Sequence, residues 1–314
     1  MSKKIISLAA GMAMISGVAM SDTPKVAADI SPVHSLVSRV MLGVGTPDLI
    51  VQAGASPHGY TLRPSEAKAL QDAQMVFWMG ESLSPWMEGA LDTLSSDATI
   101  ITLLERDETI LMEFREGALF EEHDHDDHGD EKHDDHGDHE DHGSHDPHAW
   151  LSPDNARIWL NLIASQLSIV DPENAGTYFA NAAAARSEIE ALRTEVNSLL
   201  EPVRGKKFIV FHDAYQYFEK AFDLSASGAI SLGDASKPSP ARIAEIQGRI
   251  QEESIDCVLS EPQFNKGLVA TVMAGSKAKT SVIDPLGVGL KPGPDLYSEL
   301  IRNMTKTLVD CFES

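Results

Sequence analysis

The hydrophobic pattern changes period repeatedly along the chain. Short apolar, β-type runs lie at 25–30, 48–52, 75–79 and 99–103, and stretches with apolar residues at three-and-four spacing fill the gaps between them. The predicted helices at 32–42, 64–73 and 85–94 each open with a proline, which is tolerated in a first helical turn because its missing N–H has no partner there anyway. The rhythm returns in the second half, with strands predicted near 207–211, 224–230, 256–260 and 280–283 and helices starting about Ala214, Pro240, Gly267 and Asp295. Strand–helix alternation at this spacing builds parallel sheets through right-handed crossovers. The expected fold class is α/β twice over: two similar lobes, each a parallel sheet flanked by helices.

Between the halves, Asp171 can cap and Pro172 can start a helix that meets no breaker beyond Gly176 until Pro202. Ile189, Leu192, Val196 and Leu199 mark one apolar stripe along it. A helix of roughly 30 residues is a rod of about 45 Å. Residues 171–202 are therefore expected to form a rigid connector between an N-terminal lobe at 22–170 and a C-terminal lobe at 203–314.

Ahead of the first strand, Lys3 and Lys4 precede an apolar run at 5–20, and Ala19-Met20-Ser21 offers small residues for cleavage. That combination reads as an export signal occupying 1–21, cleaved near Ser21, and places the mature protein in the periplasm. No cysteine stands near the cleavage point to carry a lipid anchor, and no later run reaches the ~18 apolar residues of a membrane span. Cys257 and Cys311 are the only cysteines, so export makes them a candidate disulfide, with a buried pair of free thiols as the alternative. The 314 residues suit two domains, and an apolar fraction of 42% excludes a wholly disordered chain. A net charge of −23 repels nucleic-acid phosphates and anionic lipid and attracts cations.

Residues 121–146 hold eight of the twelve histidines among many aspartates and glutamates. Such a run buries no apolar surface to offset its chain entropy and reads as a surface loop. A solvated acidic tract explains the aspartates but not the imidazoles, which favour metal capture by His123, His125, His128, His133, His136, His139, His142 and His145.

Four histidines remain outside the loop. His34 lies within a helical pattern between Val33 and Leu36 and reads as a structural residue. His58 follows the second strand, His148 follows the loop beyond the fourth, His212 ends the first strand of the second half, and Asp284 ends its last. Ligand groups of open α/β sheets sit beyond the carboxyl ends of strands, so these four meet if the two sheets face each other across a cleft. Three neutral imidazoles and one carboxylate suit a tetrahedral Zn²⁺ site.

At this point the sequence resembles a known family, the solute-binding proteins of zinc ABC transporters, of the periplasmic ZnuA type. The resemblance spans nearly the whole chain after the leader and is carried by Ser56-Pro57-His58-Gly59-Tyr60-Thr61-Leu62-Arg63-Pro64-Ser65, the His-rich insertion, Asp146-Pro147-His148-Ala149-Trp150-Leu151-Ser152-Pro153, Val210-Phe211-His212-Asp213-Ala214-Tyr215, Ser260-Glu261-Pro262-Gln263-Phe264 and Asp284-Pro285-Leu286-Gly287. It implies zinc ligation by His58, His148 and His212, two α/β lobes joined by a long helix, a Cys257–Cys311 disulfide, and Glu261 orienting a ligand. Some members carry a glutamate ligand just before the first histidine; here that place is Pro57, which leaves Asp284 or a water as the fourth ligand, Asp284 being preferred.

The resemblance implies capture of Zn²⁺ and its delivery to a membrane permease; the chain is expected to be a monomer, and the loop to collect zinc for the cleft, to sense excess or to exchange metal with another periplasmic carrier. A secreted zinc hydrolase is the competing class, but no His-Glu-x-x-His helix occurs. A zinc-buffering or adhesion protein uncoupled from transport is the third. The loop must lose chain entropy for each ion it wraps, whereas strand ends hold their ligands in place beforehand. Deleting 122–145 should accordingly lower total zinc stoichiometry in a titration and leave the tightest phase unchanged; loss of that phase would move the tight site into the loop.

Overall fold

The computed structural model describes residues 23–115, 120, 145–231, 238–263 and 266–313. The leader at 1–21 and the loop histidines His123, His125, His128, His133, His136, His139 and His142 lie outside them.

The first sheet holds β1 (Val26–Ala28), β2 (Asp48–Leu49), β3 (Met75–Trp78) and β4 (Thr99–Thr102), all parallel, in the order β2-β1-β3-β4. Its central strands are buried on both faces, which is why Met75-Val76-Phe77-Trp78 is continuously apolar rather than alternating. The intervening helices are α1 (Ser31–Val40), α2 (Pro64–Asp72) and α3 (Pro85–Leu94), each with proline in its first turn. The predicted strands and helices of this lobe are thus present, trimmed at their ends by a few residues.

The chain then forms two long helices, α4 (Pro153–Val170) and α5 (Ala175–Leu200). The strand–helix alternation assigns no element to 153–170, although its local signals are regular. Ser152 Oγ caps the Asn155 N–H at 3.2 Å, Pro153 occupies the first turn, and Ala156, Trp159, Leu160, Ile163 and Leu167 are buried at three-and-four spacing. Asp171 ends α4 instead of starting α5, because its carboxylate accepts from Tyr178 Oη at 2.6 Å and Asn174 Nδ2 at 2.8 Å and so fixes the turn between the helices. Residues 172–174 are a 3₁₀ turn, and the continuous rod is 26 residues, about 39 Å. Its buried stripe ends on Leu200; Leu199 is exposed.

The second lobe repeats the first, with β5 (Phe208–His212), α6 (Gln216–Phe222), β6 (Ala229–Ser231), α7 (Pro240–Glu252), β7 (Cys257–Ser260), α8 (Lys266–Val272), β8 (Lys279–Val282) and α9 (Leu296–Glu313). The sheet is again parallel, ordered β6-β5-β7-β8. A disulfide joins Cys257 on β7 to Cys311 on α9, with Cα atoms 6.1 Å apart. Closing 54 residues constrains the unfolded chain by roughly 4 kcal/mol in the entropy model.

One apolar core runs through both lobes, from Val26 and Phe77 through Trp159, Leu192 and Val196 to Val210, Leu300 and Met304. Separate clusters lie beneath α2 and α3 on one sheet and beneath α7 and α8 on the other. The rod is therefore embedded: α5 packs on α4 and α1 of the first half and on α9 of the second. Among the described residues no helix is long and apolar enough to cross a membrane. A helix gripped from both sides resists bending where a flexible crossover would hinge. Scattering profiles of the loop-deleted protein with and without zinc should nearly coincide, and a large compaction on metal addition would contradict the shared core.

Candidate metal centre

Both sheets reverse strand order between their first and third strands, and such a switch point opens a crevice at the strands' carboxyl ends. In the second lobe, His212 is the last residue of β5 and Glu261 immediately follows its neighbour β7. His58 sits on the loop after β2, and that loop is pinned from α3, since Pro57 O accepts from Ser84 Oγ at 3.1 Å and Trp86 Nε1 at 2.7 Å. His148 opens the 3₁₀ turn that leads into α4.

These three imidazoles converge. His148 Nε2 lies 3.3 Å from His58 Nε2 and 3.3 Å from His212 Nε2, and the three form one group whose donor atoms lie within 4.8 Å of one another. Their other faces are fixed by carboxylates. His212 Nδ1 donates to Glu261 Oε1 at 2.6 Å, and His148 Nδ1 donates to Asp146 Oδ1 at 2.6 Å. A carboxylate can only accept, so both Nδ1 atoms carry the proton and both Nε2 lone pairs point at one another. Lone pairs so placed repel unless a cation stands between them.

Both supporting carboxylates are themselves held. Asp146 Oδ1 also accepts the His148 N–H at 2.9 Å, and its Oδ2 accepts from Gln216 Nε2 at 2.7 Å. Burial alone would raise the Asp146 carboxyl, but its attraction for a protonated His148 ring and the hydrogen bonds from His148 and Gln216 hold it below the ordinary range. Glu261 Oε2 accepts from Gln263 Nε2 at 2.9 Å. Burial pushes His58 down to about 2, and any proton taken up by the neighbouring His148 or His212 ring opposes its charging further.

Asp284 does not join the group. Its carboxylate caps the following turn, accepting the N–H groups of Leu286 and Gly287 on Oδ1 and of Val288 on Oδ2 at 2.6–3.0 Å. The expectation that it is the fourth ligand meets this competing use of both oxygens. His34 stays apart, its Nε2 donating to Pro47 O at 3.0 Å. His145 forms an isolated antiparallel bridge with Glu113 at the base of the His-rich loop and lies outside the group.

Two contacts lock the halves together beside the site: Trp150 Nε1 donates to Pro285 O at 2.8 Å, and Arg115 pairs with Asp213 and with Glu219. Sequence reasoning gave no role to Asp146 or Gln216. The Asp146-Pro147-His148 spacing was the available signal, because proline holds the chain extended and lets a carboxylate reach a ring two residues on.

Two parallel lobes on a long embedded helix, with imidazoles meeting between strand ends, define a bilobal metal-binding solute-binding protein. The family model of ZnuA, the periplasmic component A of a zinc-uptake complex, matches residues 26–311, and the chain belongs to that family. It is 48% identical over 303 residues to the high-affinity zinc uptake system protein ZnuA of Brucella abortus (strain 2308), covering 91% of each chain. To the protein of the same name from Paracoccus denitrificans (strain Pd 1222) it is 46% identical over 318 residues, covering 97% of this chain and 96% of the relative. A crystal structure of ZnuA shares the fold with a TM-score of 0.75 at 22% identity, covering 92% of this chain and 99% of the other.

Acid should weaken metal binding, because a released imidazole takes up a proton that the bound one excludes. With His58 held down to about 2, at most two of the three rings compete for protons above pH 5. The logarithm of zinc affinity, measured by competition between pH 7.5 and 5.5, should fall with falling pH at a slope no steeper than two; a flat profile or a slope of three would contradict this ring set.

Proposed function

We propose that His58, His148 and His212 bind Zn²⁺ as cargo in the crevice between the lobes, and that the protein passes it in the periplasm to the permease of an ABC transporter. The observation that carries the reading is the 3.3 Å spacing of ring nitrogens. On a tetrahedral ion with Zn–N bonds of about 2.0–2.1 Å, neighbouring nitrogens stand about 3.3–3.4 Å apart; right-angled ligands at that bond length would approach to about 2.9 Å. Neutral imidazoles are borderline donors that suit zinc better than manganese, which prefers more oxygen.

The chemistry of the surroundings agrees. A small cavity of about 10 Å³ is walled by Pro57, Trp150, Pro285 and Leu286, so beside the rings there is room for an ion's own small ligand, such as one water, and none for an organic substrate. Family membership and the names of the relatives supply the direction of transport and the periplasmic setting. With Asp284 engaged in its own turn, the fourth position falls to a water, and Glu261 and Asp146 hold the rings from behind. The loop histidines supply weaker accessory sites.

Two variants of the full chain test the ligand set at one equivalent of metal. His148→Ala should weaken zinc by more than the roughly hundredfold that marks the upper range for residues supporting a ligand from behind. His212→Glu exchanges a nitrogen donor for a hard oxygen and should narrow the zinc-to-manganese preference without reversing it, since zinc retains the advantage at nitrogen sites. An unchanged preference in competition titrations would remove His212 from the shell.

A further inference from the structure

Six buried side-chain polar atoms among the described residues have no hydrogen-bond partner. Only one of them, Gln263 Oε1, belongs to a residue that lines the cavity shared by His58, His148 and His212. The amide's orientation follows from its other end. Gln263 Nε2 donates to Glu261 Oε2 at 2.9 Å, and turning the amide over would set its oxygen against a carboxylate. The oxygen is thus a fixed acceptor, covered from solvent, on a residue that lines a cavity of about 10 Å³.

Resting on the three-imidazole zinc reading above, we infer that Gln263 is a positioning residue for the fourth place in the zinc shell: its Oε1 accepts a hydrogen bond from the water that completes the tetrahedron. Three observations converge on that role. The imidazoles provide three donors and a tetrahedral ion asks for a fourth. Asp284 directs both oxygens at backbone N–H groups of its own turn and stands outside the imidazole group. A metal-bound water is a stronger donor than a free one, and a buried carbonyl oxygen without a donor is the acceptor it requires.

The arrangement closes a ring of contacts. Glu261 holds His212 through one oxygen and Gln263 through the other, and Gln263 returns to the ion through the water. One consequence concerns selectivity among fourth ligands. An anion offers no proton to Oε1 and meets the negative end of the amide dipole, so Gln263 favours water over anionic ligands and leaves the fourth place exchangeable. A zinc ion held by three protein nitrogens and a water is easier to hand on than one closed by a protein carboxylate.

The test uses the full chain loaded with one equivalent of Co²⁺, whose visible spectrum reports coordination, and azide as the competing fourth ligand. The wild type should show a tetrahedral spectrum and bind azide weakly. Gln263→Met, similar in size but lacking the amide, should bind azide about tenfold more tightly and zinc about tenfold more weakly, the lower range for loss of a supporting group. Gln263→Glu, which shares a proton with the adjacent Glu261 because two neighbouring buried carboxyls do not both ionise, keeps an acceptor oxygen at this place and should retain the wild-type resistance to azide. Unchanged azide binding in Gln263→Met, or Gln263→Glu behaving like Gln263→Met, would overturn the inference. The underlying zinc reading fails separately: a cobalt spectrum that is not tetrahedral, or that survives His148→Ala, would refute the three-imidazole shell whatever azide does.

Discussion

Three ring nitrogens from distant parts of the chain must meet at bonding distance around one point. His58 and His148 are 90 residues apart and His148 and His212 are 64 apart, yet each pair stands at 3.3 Å. An error of half an ångström would spoil a tetrahedral shell, so the two lobes cannot float relative to each other. The shared apolar core answers that demand. Because α5 is gripped by α1 and α4 on one side and α9 on the other, the crevice lies between two halves of one packed body. The bond from Trp150 to Pro285 and the pairing of Arg115 with Asp213 and Glu219 add directional constraints beside the rings.

Much of this was legible in the sequence because its signals are local. Continuous apolar runs gave the buried parallel strands, and prolines marked the starts of α1, α2 and α3. The three converging rings stood out because they follow strand ends or the loop beyond one, while His34 lies in a helical stripe. What escaped depends on three-dimensional register. Asp171 carries a helix-start signal, yet its carboxylate is claimed by Tyr178 and Asn174, which makes it the pin of a helical hairpin. Asp284 sits at a strand end as a ligand would, but three backbone N–H groups compete for its oxygens, and no periodicity reveals such a turn. Gln216 reaches Asp146 across 70 residues, a distance at which sequence spacing says nothing.

The rings are also tuned by what stands behind them. A metal-bound imidazole binds more strongly when its outer N–H is held by an anion, which fixes the tautomer and raises the basicity of the inner nitrogen. Asp146 and Glu261 do this for His148 and His212. Gln216 and Gln263 then hold each carboxylate by its second oxygen, so the same three-part relay of amide, carboxylate and imidazole occurs twice. One of the two relays spans the lobes: Gln216 belongs to α6 of the second lobe and supports a ring that precedes α4, whereas Gln263, Glu261 and His212 all lie in the second lobe. Coupling between lobes is thus built into the metal site itself.

Charge balance explains why the fourth place suits a neutral ligand. Where the rings converge there are three neutral imidazoles and two buried carboxylates, Asp146 and Glu261, each hydrogen-bonded behind a ring. A divalent cation at the centre brings the sum to zero, and a buried assembly of zero net charge carries the smallest desolvation penalty. A third carboxylate in the shell would leave one negative charge uncompensated in the crevice. Asp284 avoids that cost by spending its charge on three N–H groups of its own turn, where it orders the loop that carries the Pro285 carbonyl onto Trp150. Its place at the end of the last strand therefore serves the closure of the crevice.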